Sequence, residues 1–194
     1  MSNFYDENYR QYFDSTVGID PSAFLQPLAD RLRPPATILD VGCGSGRDLL
    51  WLASRGYTPT GFELAPKLAS LAREHANCPV IEGDFCHYDF SALRFSALVF
   101  VGSLVHLPKE TLPLILKSTC LALAPDGLLL ITLKEGRGFS CADDGRVFTL
   151  WSRKEIEKIF AAHNIQVLDF SKQVSKLRSN DIWLGYVLRL NNGP

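Results

Sequence analysis

The chain is 194 residues long, with 46% hydrophobic and 21% charged residues, which is ordinary for a soluble globular protein and enough for one buried core. Its formal net charge of −1 gives no general attraction to nucleic-acid phosphate or anionic lipid, and no run approaches the roughly 18 apolar residues of a membrane span. Nucleic acid and membrane are therefore not the expected partners. The opening residues are polar and lack the basic-then-apolar layout of a signal peptide. The cysteines Cys43, Cys78, Cys86, Cys120 and Cys141 are odd in number and show no Cys-x-x-Cys spacing. They read as free thiols of a reducing compartment, which makes the expected location cytoplasmic. Cys78, Cys86 and His87 come nearest to a metal cluster, but no second ligand pair accompanies them, and no metal is expected.

In chain order, short apolar runs alternate with helical patterns, as in parallel strands joined by crossover helices. Residues 4–16 are aromatic-rich and helical in pattern. A second helix covers 23–32 after the start signal Asp20-Pro21-Ser22, and Arg33-Pro34-Pro35 stops it. Residues 1–32 thus read as a helical lid segment on a single domain of 1–194. The run 37–41 is the first strand, followed by a glycine turn and a helix to Arg55. Strand two covers 58–62, a helix runs from Pro66 to His75, and 79–82 form strand three. Residues 97–102 carry no polar alternation and read as a fully buried fourth strand. An amphipathic helix spans 108–123, with Pro113 distorting its first turns. Pro125-Asp126-Gly127 then turns into a fifth strand over 128–133. Residues 135–150 form a long, glycine-punctuated connection. Ser152, with Glu155 three residues on, is a capping box. The last strands, 165–170 and 182–190, leave no room for a crossover helix and must pair antiparallel.

The chemistry concentrates at three strand ends. Ile38-Leu-Asp-Val-Gly-Cys-Gly-Ser-Gly-Arg47 is an apolar strand feeding a glycine turn and a helix. Glycines there let the backbone pass close beneath a ligand, and the helix start favours an anionic group. The spacing is Gly-x-Gly-x-Gly, without the third glycine of the dinucleotide pattern. Gly61-Phe62-Glu63-Leu64 ends strand two, where an acid can accept both hydroxyls of a ribose. Gly83-Asp84-Phe85 ends strand three, where an acid can accept the exocyclic amine of adenine and Phe85 offers an apolar face. Ligands collect at the carboxyl ends of strands in open α/β sheets.

These residues resemble the class I methyltransferases that use S-adenosylmethionine (SAM). Residues 38–47, including Asp40 and Cys43, look like that family's first motif; Glu63 matches its ribose-binding acid and Asp84 its adenine-contacting acid. Residues 98–107 resemble the fourth motif, and 123–128 resemble the turn before strand five. Within the family the chain is most similar to small bacterial members of undefined substrate, through Tyr5-Asp-Glu-Asn8, Gly-Ser-Gly-Arg-Asp48, Ser103-Leu-Val-His-Leu-Pro108 and Leu133-Lys-Glu-Gly136. Tyr9 and Leu64 depart toward larger or less polar residues, and Asp126 replaces a glycine. The resemblance runs from about Tyr5 to Leu190. It implies a Rossmann-like α/β three-layer sandwich whose seven-stranded, mostly parallel sheet has the order 3-2-1-4-5-7-6, strand seven being antiparallel. It also implies SAM as cofactor, with Gly42, Gly44 and the nearby backbone around the methionine part. Glu63 and Leu64 then meet the ribose side, Asp84 and Phe85 the adenine, and Gly102 and Ser103 the floor beside the methyl group.

The acceptor side is less determined. Val101-Gly-Ser-Leu104 is not the Asn/Asp-Pro-Pro-Tyr of enzymes that methylate adenine or glutamine nitrogens. His106 is the candidate base, since imidazole titrates near neutrality; the other reading has it satisfying backbone ahead of Pro108. Arg137 and Arg146 in the long connection either bind a substrate anion or are solvated lid charges. Tyr5 and Tyr12 either fold over the cofactor or pack their own helix. Lys172, Lys176 and Arg178 read as a solvated basic loop. The expected activity is methyl transfer from SAM to an O, S or N atom of a small molecule. The alternatives are an RNA-modifying methyltransferase and a SAM-binding protein without turnover. Oligomeric state is not legible.

Overall fold

The computed structural model describes residues 2–176 and 181–191. Its central strands are β1 (Thr37–Val41), β2 (Thr58–Glu63), β3 (Val80–Glu82), β4 (Phe95–Phe100) and β5 (Leu123–Glu135). β3, β2, β1, β4 and β5 lie side by side and parallel. The strands alternate faces as pleating requires, yet both faces are buried. Leu39, Leu98, Phe100, Leu129 and Ile131 enter one core with Phe62, Trp151 and Phe160. Ile38, Ala97, Val99, Leu128 and Leu130 enter a second core with Leu25, Leu28 and Trp51. That is why these strands read as unbroken apolar runs. Each such side chain contributes roughly 1.5–3 kcal/mol on burial.

The sheet closes with β8 (Ile165–Val174) and β9 (Ile182–Leu190). β9 runs antiparallel beside β5 from Leu128 to Lys134, and β8 runs antiparallel beside β9. The path 3-2-1-4-5-9-8 is the expected order once the two short strands between β5 and β8 are counted. The fold class stands, but the strand count is corrected from seven to nine among the described residues. The long connection after Glu135 holds a hairpin, β6 (Phe139–Cys141) against β7 (Val147–Trp151). Two β7 residues pair parallel with the tip of β5, Leu150 with Lys134 and Trp151 with Glu135. Lys134 meets Trp183 of β9 on its other edge, so β7 lies on the β4 side of β5, past the point where β4 ends. The hairpin was hidden in the sequence because its pairing depends on that strand tip, and its strands are only three and five residues long.

The helices are α1 (Ser2–Glu7), α2 (Tyr9–Thr16), α3 (Ser22–Ala29), α4 (Arg47–Ala53), α5 (Pro66–Ala76), α6 (Leu112–Thr119) and α7 (Arg153–Ala162). The expected helix over 4–16 is two helices, because Asn8 leaves helical geometry at φ −108°, ψ 21° and its side-chain amide donates to the Phe4 carbonyl. The expected helix over 108–123 is shorter. Pro113 stands in its first turn, where no backbone N–H is needed, and single 3₁₀ turns precede and follow the helix at Leu104–His106 and Cys120–Ala122. β5 starts earlier than expected and carries Asp126 at φ 59°, the conformation that a glycine takes more easily.

α7 opens on the capping box read from the sequence. The Ser152 hydroxyl accepts from the Glu155 amide, while the Glu155 carboxylate accepts from the Ser152 amide at 2.9 Å. The Ser152 hydroxyl, which also donates to this carboxylate at 2.6 Å, then the Ser152 amide and Lys109 at 3.1 Å hold the Glu155 carboxyl down at about 2. Ser152→Ala is expected to cost about 1 kcal/mol and to lower the melting temperature by roughly 2–4 °C, measured by calorimetry. Among the described residues no helix is long and apolar enough to cross a membrane. Nor, among them, does any group of His, Cys, Asp and Glu have the arrangement of a metal site.

Candidate active site

The loop between β1 and α4 is built on left-handed glycines, with φ of 77° at Gly42, 55° at Gly44 and 76° at Gly46. Gly42 and Cys43 both donate to the Phe62 carbonyl of β2, at 2.7 and 3.1 Å. A Cβ on Gly42 would stand 2.5 Å from the Ser103 Cβ, so the β1 and β4 tips touch only because residue 42 is glycine. At Gly44 the same test meets the Tyr12 ring at 3.3 Å. Cys43 turns its thiol down against Gly61, where burial pushes its pKa well above the ordinary value. All five cysteines are free.

Glu63, at the end of β2, is 7% exposed. One carboxylate oxygen accepts from the Gly44 amide at 2.9 Å, and the other from the Leu64 and Ala65 amides at 2.9 and 3.1 Å. Burial raises its pKa, the three amides oppose this, and the net shift is upward. The acid thus ties the glycine loop to the start of α5. The Glu63 carbonyl accepts from Gly83, which brings Asp84 and Phe85 to the neighbouring strand tip. Asp84 is half-exposed and accepts from the Cys86 amide and the His87 ring, both at 2.9 Å. Burial pushes its carboxyl up, but those bonds outweigh it and leave the pKa below the usual value.

α1 and α2 bring aromatic rings over the loop. Tyr5 and Tyr12 meet edge-to-face at 5.1 Å, and the Tyr5 hydroxyl lies 2.8 Å from Nε2 of His106, 101 residues away. The His106 Nδ1 lies 2.8 Å from the Val147 carbonyl of β7, which can only accept. Nδ1 therefore carries the proton, and neutral His106 turns its Nε2 lone pair to the Tyr5 hydroxyl. Burial lowers the His106 pKa, against the opposing Val147 bond. Arg146 closes the cluster: it pairs with Asp144 at 2.6 Å, lies 4.6 Å over the Phe4 ring and stands 5.9 Å from the centre of the Tyr5 ring.

One cavity runs through these parts. Tyr5, Tyr12, Gly42, Cys43, Gly44 and Gly102 line it, and it continues to Val101, Lys134, Phe148, Trp183 and Phe24. The matched family is the methyltransferase domain, over residues 38–127. Methyltransferase GfsG of Streptomyces halstedii is 27% identical over 143 residues, which is 66% of this chain and 51% of that protein. The ubiquinone biosynthesis O-methyltransferase of Xanthomonas axonopodis pv. citri (strain 306) is 30% identical over 115 residues, covering 56% and 47%. The chain spans about half the length of these curated relatives. In three dimensions it is similar to the Burkholderia thailandensis 1,6-didemethyltoxoflavin-N1-methyltransferase, a structure with bound 1,6-didemethyltoxoflavin and S-adenosylhomocysteine. That likeness has a TM-score of 0.76 at 22% identity, over 98% of this chain and 85% of that one.

Residues 38–127 thus match a methyltransferase-domain family, and the chain shares the fold of that methyltransferase structure.

The cofactor that the sequence resemblance implies is SAM, and the residues present suit it. The glycine cradle would be filled by a Cβ at 42 or 44, and a buried acid ends β2. The Asp40 Oδ2 and Ser103 Oγ atoms, one beneath the loop and one beside it, are buried without a hydrogen-bond partner. Asp40 is 1% exposed, and burial first, then Asp48, pushes its carboxyl well above the usual range.

Not every candidate lines the cavity. Asp40, Glu63 and Ser103 are not among the lining residues, Leu64, Asp84 and Phe85 lie on the adjoining strand tips, and His106 reaches it through Tyr5. Lys134, Trp183 and Phe24 were missed. Lys134 reads in sequence as an ordinary charge at a strand end, and nothing local signals that β7 and β9 enclose it. The expected basic loop is paired: Lys172 meets Glu135 at 2.6 Å and Lys176 meets Asp20 at 3.6 Å. Arg178 lies outside the described residues.

Proposed function

We propose that this chain is a SAM-dependent methyltransferase that moves the methyl group to an O, S or N atom of a small acceptor. The observation that carries the reading is the single cavity shared by the glycine loop, the aromatic lid and the tips of β4, β5 and β9. In this reading the Gly42 to Gly44 backbone holds the methionine part, Glu63 the ribose hydroxyls, and Leu64, Asp84 and Phe85 the adenine. Gly102 and Ser103 floor the space beside the methyl group, and Tyr5 and Tyr12 cover it as a lid. Bound SAM supplies an electrophilic methyl on a sulfonium, and an acceptor held in line needs little further activation.

The chain's own residues then handle the proton. An O–H, N–H or S–H acceptor releases one, and the Tyr5 hydroxyl can pass it to Nε2 of His106, which the Val147 bond keeps as an acceptor. Because burial lowers the His106 pKa, the imidazole is neutral at pH 7 and is lost to protonation only below its ordinary value of 6.5. The acid limb of kcat is therefore expected below pH 6.5.

Two measurements test this. Incubation of the purified chain with methyl-labelled SAM and a metabolite extract should move label into a small molecule; label in no fraction would oppose the reading. His106→Ala should lower kcat roughly hundredfold with S-adenosylhomocysteine affinity unchanged, and undiminished turnover would remove His106 as the base.

A further inference from the structure

Lys134 is the least expected group in the cavity. Its side chain is 5% exposed, and a buried ammonium is tolerated only where its donors are met. The Asp181 carboxylate takes one donor at 2.6 Å, the Phe148 ring lies 3.8 Å from Nζ, and the Trp183 ring lies 5.7 Å away. An ammonium has three donors, and among the described residues Asp181 is the one hydrogen-bond acceptor it meets, while Lys134 lines the cavity. The same rings make the walls. Phe24 meets Trp183 edge-on at 6.3 Å, and the indole lies against Gly102, where a Cβ would stand 3.4 Å from it. Gly102 is the tip of β4, the strand end next to the glycine loop.

Resting on the methyl-transfer reading, we infer that the acceptor is a flat aromatic or heteroaromatic molecule that packs on the half-buried Trp183 ring and accepts a hydrogen bond from Lys134 through an oxygen or ring nitrogen. Aromatic walls favour a flat ring over a puckered one of the same polarity. The paired Asp181 neutralises the ammonium, so the site selects a hydrogen-bond acceptor and not a net charge.

The test is calorimetric titration of the chain loaded with S-adenosylhomocysteine. The probes are catechol, 4-hydroxyquinoline and 3,4-dihydroxybenzoate, each set against its ring-saturated counterpart. At least one flat probe should bind tenfold or more tightly than its saturated partner. Lys134→Met should weaken that probe tenfold or more while leaving S-adenosylhomocysteine affinity unchanged. Trp183→Leu, at a half-buried position, should bring the flat probe to the level of the saturated one. Equal binding of flat and saturated probes, binding of no flat probe, or wild-type affinity in both variants would overturn the inference. Failure of S-adenosylhomocysteine to bind would instead remove the methyl-transfer reading, and titration of the unloaded chain would still read the ring site by itself.

Discussion

Glu63→Ala is expected to weaken S-adenosylhomocysteine binding by about a hundredfold, from the loss of two charge-assisted hydrogen bonds of about 1.5–3 kcal/mol each, partly replaced by water. The substitution also acts on the chain itself. Three amides, those of Gly44, Leu64 and Ala65, lose their acceptor together. With about 1 kcal/mol lost for each, the melting temperature should fall by roughly 6–12 °C. Glu63→Gln should fall between, since its carboxamide oxygen serves one side of the pair while its N–H₂ faces donors on the other. The titration sign is fixed by burial, which raises the Glu63 pKa. A raised acid costs stability as pH climbs from its unfolded value toward its folded one, and ribose hydroxyls that bond the ionised form offset this cost. Affinity should therefore strengthen as pH rises through that window. Unchanged affinity in a folded Glu63→Ala protein would end the ribose assignment.

The second large effect concerns Gly46→Ala. A Cβ there would stand 2.8 Å from the Ala72 carbonyl oxygen and 2.9 Å from the Ala72 Cα, both backbone atoms of α5, at φ 76°. The left-handed conformation alone costs roughly 1–2 kcal/mol. The contact adds more, because Ala72 is fully buried and α4 must move off α5. A total of about 3–4 kcal/mol, or roughly 10 °C in melting temperature, is expected. Gly138→Ala is the matched control: φ is 71° and nothing lies within 4 Å. It should lose only the conformational part, about 1 kcal/mol. Displacing α4 also pulls the Gly44 amide from Glu63, so Gly46→Ala should weaken S-adenosylhomocysteine while Gly138→Ala should not. Equal melting temperatures for the two variants would show that the α4–α5 contact yields freely.

Much of the site was legible because its signals are local. A left-handed turn asks for glycine at Gly42, Gly44 and Gly46, and the order strand, turn, helix surrounds them in sequence. Glu63 ends β2 and Asp84 stands two residues past β3, and parallel pairing of these strands brings both acids to one edge. What stayed hidden is long-range. Tyr5 meets His106 across 101 residues, and His106 takes its tautomer from a carbonyl in a hairpin that no periodicity announced.

By itself, then, the amino-acid order determined the parallel core, the antiparallel final pair and the glycine cradle, since each follows from backbone conformation and apolar runs a few residues long. Only the tertiary structure decided that Lys134 is enclosed, that Trp183 and Phe148 face it, and that the first helices seat Tyr5 on His106. The reason is physical: burial belongs to whatever packs over a residue, and for Lys134 those are β7 and β9, which arrive from later in the chain on opposite edges of β5.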